Sequence, residues 1–401
     1  MTALVKLTLD RSIRRKLKVH QIEVVGDGLD RLRELRGERC LLTPSHSGGL
    51  EPHVVMHLSK LLNEDFYYVA ALEVFERSRL GGWLMQRLGA YSIIRGAVDR
   101  PSFQTTRKIL AEGKHRLVIF PEGEAIWQNS VVMPFQPGVV QLAFKGLEDA
   151  RKADAEGDLI CVPIAIKYSY LRDMRAEIDA SLWRLEAMTL DVSQRLPLPP
   201  YERMRRIAEA ILVAIERTHD VKPPSGDSFN DRIQALKLRA ITRMERQLEV
   251  QTPSAQPMMD RVRTLFNTVD RLAHELSDAT PYEQQLAREQ RQTAQSHYDG
   301  LWRMLQFAAI YDGYVSESMT VERFMDVLCL MEMEVFKVRR VWGPRQARVA
   351  VGEPVSLGEA YESYKNDKRG VAQQIALALE SAVRSMLDQL GDDCPTVRLK
   401  Q

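Results

Sequence analysis

The chain has 401 residues, of which 45% are hydrophobic and 27% charged, a balance that belongs to a folded protein and excludes a disordered one. Its formal net charge of +2 is too small to argue for nucleic acid as a partner, so any cationic surface must be local. The four cysteines, Cys40, Cys161, Cys329 and Cys394, show no CxxC spacing and read as reduced thiols of a cytosolic protein.

No stretch reaches the ~18 uninterrupted apolar residues that a membrane-spanning helix requires, and the first residues lack the apolar core of a signal peptide. Residues 1–38 read as a basic N-terminal segment, centred on Arg11-Ser-Ile-Arg-Arg-Lys-Leu-Lys18 with five cations and no acid. Taken alone this is a solvated basic turn. Beside a bilayer, each cation would contribute about 1 kcal/mol of attraction to anionic lipid.

Residues 39–170 alternate between short β-rich runs and helical patterns. The strand candidates are Cys40–Thr43, Phe66–Ala71, Tyr91–Arg95, Arg116–Phe120 and Ile160–Lys167. Helices are expected at His53–Leu62, Leu80–Leu88, Ser102–Ala111 and Val139–Ala150, the third framed by Pro101 and Gly113 as start and stop. Such alternation predicts an α/β layer with a mostly parallel mixed sheet flanked by helices. From 171 to 343 no strand run is convincing. Helical periodicity recurs at Tyr201–Thr218, Phe229–Val250, Met258–Leu276, Tyr282–Tyr311 and Val321–Val341, without a fixed repeat. The mixture of Arg203, Arg205, Arg206, Arg217 and Lys222 with Glu202, Glu209, Glu216 and Asp220 reads as a solvated face. The α/β pattern then returns in 344–401, with a strand at Gln346–Val351 and a helix at Val371–Leu390. One strand and one helix cannot bury a core of their own. The economical reading is an α/β domain interrupted by an all-helical insertion.

The stretch Thr43-Pro-Ser-His46-Ser-Gly-Gly-Leu-Glu51-Pro52 carries the most pointed chemistry. Five residues advance a helix by about 500°, so His46 and Glu51 can meet only across a turn, which Gly48-Gly49 permits. Pro52 favours a helix start and makes Glu51 its N-cap, with the carboxylate at the positive end of the helix. A carboxylate held ionised there could bond one imidazole nitrogen and leave the other free to take a proton.

Three further blocks follow: Gly89-Ala-Tyr-Ser-Ile-Ile-Arg95-Gly96, Phe120-Pro-Glu-Gly123 and Val162-Pro163. In this order and spacing the chain resembles the glycerolipid acyltransferase family, of the lysophosphatidate acyltransferase type. That family's blocks read His-x4-Asp, a Gly-to-Arg strand, Phe-Pro-Glu-Gly-Thr-Arg-Ser and a Val-Pro strand. Pro134-Phe135-Gln-Pro-Gly138 and Gly352-Glu-Pro354 add to the likeness, which covers about 40–170 and 345–390; the helical block has no counterpart in it.

The resemblance implies that His46 is the general base on an acceptor hydroxyl, which attacks the thioester carbonyl of acyl-CoA or acyl-carrier protein. Glu51 would orient the histidine in place of the family's aspartate. Arg95 would hold an anionic group of the acceptor, Glu122 and Gly123 would shape the acceptor site, and Pro163 the nearby strand end. No metal and no cofactor is implied beyond the acyl thioester as co-substrate. The partners implied are a lyso-lipid or lipid-like acceptor and a membrane surface, met peripherally on its cytoplasmic face. Two departures stand out. Glu51 is one methylene longer than aspartate, and Glu124-Ala125-Ile126 replaces Thr-Arg-Ser, which predicts an acceptor less anionic than lysophosphatidate or one bound differently. Two other classes are compatible with these residues: a catalytically impaired family member serving as a membrane-surface scaffold, and a metal-dependent hydrolase built on His46, His53 and His57.

Overall fold

The computed structural model describes residues 9–76, 78–94, 99–152, 157–218, 220–221, 228–253, 255–274 and 319–392, with single positions at 297, 300 and 301. The chain divides into two compact units. One comprises Met1–Ile93, Asp99–Arg172 and Val341–Cys394; the other is built on Asp173–Arg340.

The first unit is organised on an eight-stranded sheet. Its strands are β1 (Val19–Val24), β2 (Cys40–Pro44), β3 (Phe66–Ala71), β4 (Ala90–Ile93), β5 (Arg116–Val118), β6 (Ile160–Tyr170), β7 (Arg345–Val351) and β8 (Val355–Ser356). The order is β1-β7-β6-β2-β5-β3-β4, with β8 beside β6. All pairings are parallel except those of β6 with β7 and β8. The α/β sheet expected from the alternating pattern is therefore present.

Period-two alternation decides which layer each residue enters. Leu41, Leu117, Cys161 and Ala165 face a core built with Leu110, Phe144, Leu147 and Val383 from helices Arg100–Glu112, Pro137–Arg151 and Lys368–Asp392. Their neighbours Leu42, Val118, Val162, Ile164 and Ile166 face the opposite core, with Leu32, Val54, Val55 and Leu58. Central strands covered on both faces must be apolar throughout, which is why they stand out in the sequence.

Strand β1 does not stand out. It lies at the sheet edge, parallel to β7, and its Val-His-Gln-Ile-Glu-Val has only Val19 fully buried. The basic segment before it also differs from the solvated turn expected. Residues 9–17 are helical, ending in the π-turn Ile13–Leu17. Leu9, Ile13 and Leu17 recur every four residues and pack into the core with Val54 and Leu58, which leaves Arg11, Arg14, Arg15, Lys16 and Lys18 exposed. Among the described residues no helix is long and apolar enough to cross a membrane.

The second unit contains helices Arg175–Thr189, Pro200–Thr218, Phe229–Gln247, Met258–His274 and Val321–Phe336. The expected helix Tyr282–Tyr311 lies outside the described residues. The helix expected over Val321–Val341 stops at Phe336, where Lys337 turns left-handed at φ 58° and its N–H caps the Met333 carbonyl. Charge is not confined to a solvated face here. Arg203 and Glu216, read as solvated in the sequence, are 5% and 4% exposed. Arg203 grips Glu186 through two bonds of 2.6 and 2.7 Å, and Glu216 takes both arms of an Arg232 fork at 2.8 Å.

Candidate active site

Strand β2 is buried along its whole length, and its exit is pinned to β6. The Thr43 hydroxyl donates to the Val162 carbonyl, the Ser45 N–H to the Ile164 carbonyl, and the Ser45 hydroxyl accepts the Ile166 N–H. The chain then turns through His46–Leu50. Gly49 sits at φ +73°, a conformation that L side chains rarely adopt.

Helix Glu51–Leu62 begins directly after the turn, with Leu50 as its N-cap and Glu51 as its first residue. Glu51 was expected one position earlier, as the cap itself. Its side chain nevertheless folds back over the turn, where its carboxylate accepts the N–H of Gly48 at 2.8 Å and of Leu50 at 3.1 Å. The added methylene is taken up by this fold-back. Glu51 Oε2 lies 3.0 Å from His46 Nδ1.

Glu51 is fully buried while the His46 side chain keeps 19% of its surface. Burial pushes the Glu51 pKa up, but the His46 hydrogen bond, the His46 charge and the backbone donors outweigh it and hold the carboxyl below its ordinary value. An ionised carboxylate can only accept, so Nδ1 carries the proton toward it and Nε2 is left as an acceptor. The Phe120 ring stacks on the imidazole at 4.3 Å between centroids.

The third block wraps the same turn. Glu122, 1% exposed, accepts the His46 main-chain N–H at 2.6 Å and that of Met133 at 2.7 Å. Burial lifts its pKa to about 7, against the opposing pull of the Met133 and His46 N–H groups. Gly123 stands at φ +81°, a conformation that L side chains rarely adopt, and a Cβ there would also have to displace the Gln136 amide, 2.0 Å away. Where the family has Thr-Arg-Ser, Ala125 and Ile126 turn inward and are buried. Ala125 and the Trp127 indole close over the glycine turn, 3.6 and 3.5 Å from where a Gly49 Cβ would be.

The other expected residues fall as follows. Pro163 lies within β6 rather than at a strand end, opposite Thr43, and its carbonyl accepts the Gly352 N–H at 2.9 Å. Arg95 lies outside the described residues. His57 Nδ1 is 3.0 Å from Asp10 Oδ1, and His53 Nδ1 is buried without a partner, its pKa lowered by burial. Among the described residues no group of three His, Cys, Asp or Glu side chains is placed to hold a metal ion.

Several supporting residues were invisible in the sequence. The Asn129 amide bonds both the N–H and the carbonyl of Tyr168, at 2.8 and 2.5 Å, prolonging the ladder along β6 beyond Ser45. Gln128 is fully buried with neither end of its amide partnered. Glu380 and Arg384, on the last helix, hold the Phe135 N–H and the Val132 carbonyl. Sequence separations of up to 252 residues leave no local signal for such contacts.

The C-terminal end of the central strand β2 thus presents a carboxylate-oriented histidine, with a Pro-Glu-Gly turn folded over it. Residues 16–167 match the protein-family model described as Acyltransferase. This part of the chain is an acyltransferase-family domain, the family to which the four blocks pointed, and acyl transfer is the general activity that it carries. No curated protein and no solved structure matches the chain.

Proposed function

We propose that the domain moves a fatty acyl group from acyl-CoA or acyl-carrier protein to a hydroxyl of a lyso-lipid or lipid-like acceptor. The observation that carries this reading is the 3.0 Å contact between His46 Nδ1 and the buried Glu51 carboxylate. His46 Nε2 takes the hydroxyl proton as the oxygen attacks the thioester carbonyl. The tetrahedral intermediate collapses with loss of the thiolate, and Glu51 stabilises the imidazolium formed. No covalent intermediate on the protein is needed. The acceptor is less anionic than lysophosphatidate, because Glu124-Ala125-Ile126 provides no cation where the family has an arginine. The exposed cations Arg11, Arg14, Arg15, Lys16 and Lys18 are the peripheral contact with an anionic membrane face, reached from the cytoplasm.

The test is thioester turnover with a panel of lyso-lipids, comparing the native protein with His46→Ala. Loss on the order of 10²–10⁴-fold is expected for a missing general base. No turnover with any acceptor, or equal turnover in the variant, would point instead to a membrane-surface scaffold that has kept the fold. A preference for lysophosphatidate over neutral lyso-lipids would sink the acceptor assignment alone.

A further inference from the structure

The contacts of Glu122 lead away from an acceptor. Its Oε1 accepts the His46 main-chain N–H and its Oε2 the Met133 N–H. The stretch that carries Met133 is fastened again by the last helix. The Glu380 carboxylate accepts the Phe135 N–H at 2.9 Å, while Arg384 donates to the Val132 carbonyl and pairs with Glu380 at 2.8 Å. A line of charge-assisted hydrogen bonds thus runs from the His46 backbone through Glu122 to the closing helix.

We propose that Glu122 is a positioning residue for the transfer reaction, which places the His46 imidazole by holding the His46 main chain and does not bind the acceptor. The proposal rests on His46 being the general base. The two buried carboxylates act on different parts of that residue. Glu51 turns the ring, and Glu122 places the backbone from which the ring hangs. Misplacement of a reacting group by about 1 Å costs on the order of 10²-fold in rate, so both constraints matter. The ionised carboxylate offers one acceptor oxygen to each of the two N–H groups. The groups that face it electrostatically are His46, whose charge favours that ionised form, and Glu51, whose charge opposes it.

Glu122→Gln is the decisive variant, because its shape is kept while one of its two acceptors becomes an NH₂ facing an N–H. A positioning role predicts kcat down on the order of 10²-fold with the acceptor KM within about two-fold. A raised KM with kcat retained would overturn the proposal in favour of acceptor binding. Should that variant fail to fold, Glu380→Gln loosens the same stretch from its far side. A drop in kcat of roughly three- to ten-fold at constant KM is then expected, and an unchanged kcat would count against the proposal.

A second readout needs no turnover. Amide hydrogen exchange at His46 and Met133 should quicken by about ten-fold or more in Glu122→Gln; unchanged protection at both amides would overturn the brace. A native protein without activity, but with this exchange response, would separate failure of the transferase reading from failure of the brace.

Discussion

In the α/β unit the buried carboxylates of Glu51 and Glu122 face main-chain N–H groups and one imidazole, whereas in the helical unit Glu186, Glu216 and Glu245 each face an arginine fork. All five are 9% exposed or less. An arginine cannot give up its proton in a protein, so a carboxylate it grips is neutralised for good and serves only packing. A carboxylate held by N–H groups and a histidine keeps its charge available to an imidazole that gains and loses a proton. Under the proposed function, the same residue type is structural in one unit and poised for chemistry in the other.

The largest effect should come from Glu51→Gln. An amide can still touch Nδ1, but it cannot stabilise an imidazolium, and turnover should fall on the order of 10²–10⁴-fold. Stability in a denaturant melt should change far less than turnover. A variant that keeps full activity would place Glu51 in the same structural class as Glu186.

Next comes Arg203→Ala, which strands Glu186 uncompensated in the interior and also removes a partner of Asp179. Breaking one partner of a buried pair costs about 3–5 kcal/mol, measurable as a lower denaturation midpoint of the transition that reports the helical unit. Replacing Arg203 and Glu186 together by methionine should restore much of that loss. If it does not, the pair does more than fill a polar hole.

The two site carboxylates should also respond to pH with opposite signs. Glu51 titrates below its ordinary value, so its contribution to stability is present above about 4.5 and lost as pH falls through the lowered value. Glu122 titrates at about 7 rather than 4.5. The folded state then holds a proton that the unfolded state has released, so its contribution is full at acidic pH and is lost as pH rises toward 7. Compared with Glu122→Gln, the native protein should therefore lose about 2–4 kcal/mol of relative stability between pH 4.5 and 8. Melting curves of both proteins across that range check the sign. A constant gap would mean that Glu122 does not titrate there.

The central strands were legible because burial on both faces demands unbroken apolar runs, and the expected Cys40–Thr43 falls within β2, every residue of which is buried. Strand β1 and helix Arg175–Thr189 were missed for opposite reasons. The first is an edge strand in which only Val19 is buried and an irregularity between Val19 and Gln21 breaks the alternation, and the second mixes buried Glu186 and Ser181 into its inward side. At the site, spacing and glycines permit the His46–Glu51 turn and the family resemblance singles it out, but the helix starts one residue earlier than expected, with Leu50 as its cap. The Glu122 brace could not be read at all: a carboxylate that accepts main-chain N–H groups leaves no residue pattern, since every partner except proline has one.

The smallest effect concerns cations, and it returns the comparison to charge. The arginines Arg203, Arg232 and Arg261 of the helical unit are tied to carboxylates, whereas Arg11, Arg14, Arg15, Lys16 and Lys18 stand exposed on a helix whose apolar stripe is already docked. Such a helix has no apolar face left to insert, so its attraction to a bilayer would be electrostatic alone. Each neutralisation, for example Arg14→Gln or Arg15→Gln, should weaken binding to vesicles containing phosphatidylserine by about 1 kcal/mol, or roughly five-fold. Raised salt should weaken native binding further, because screening shortens to ~3 Å at 1 M. The melting temperature should stay where it is, since these side chains are exposed. Binding that survives both salt and neutralisation would require an apolar contact elsewhere on the domain.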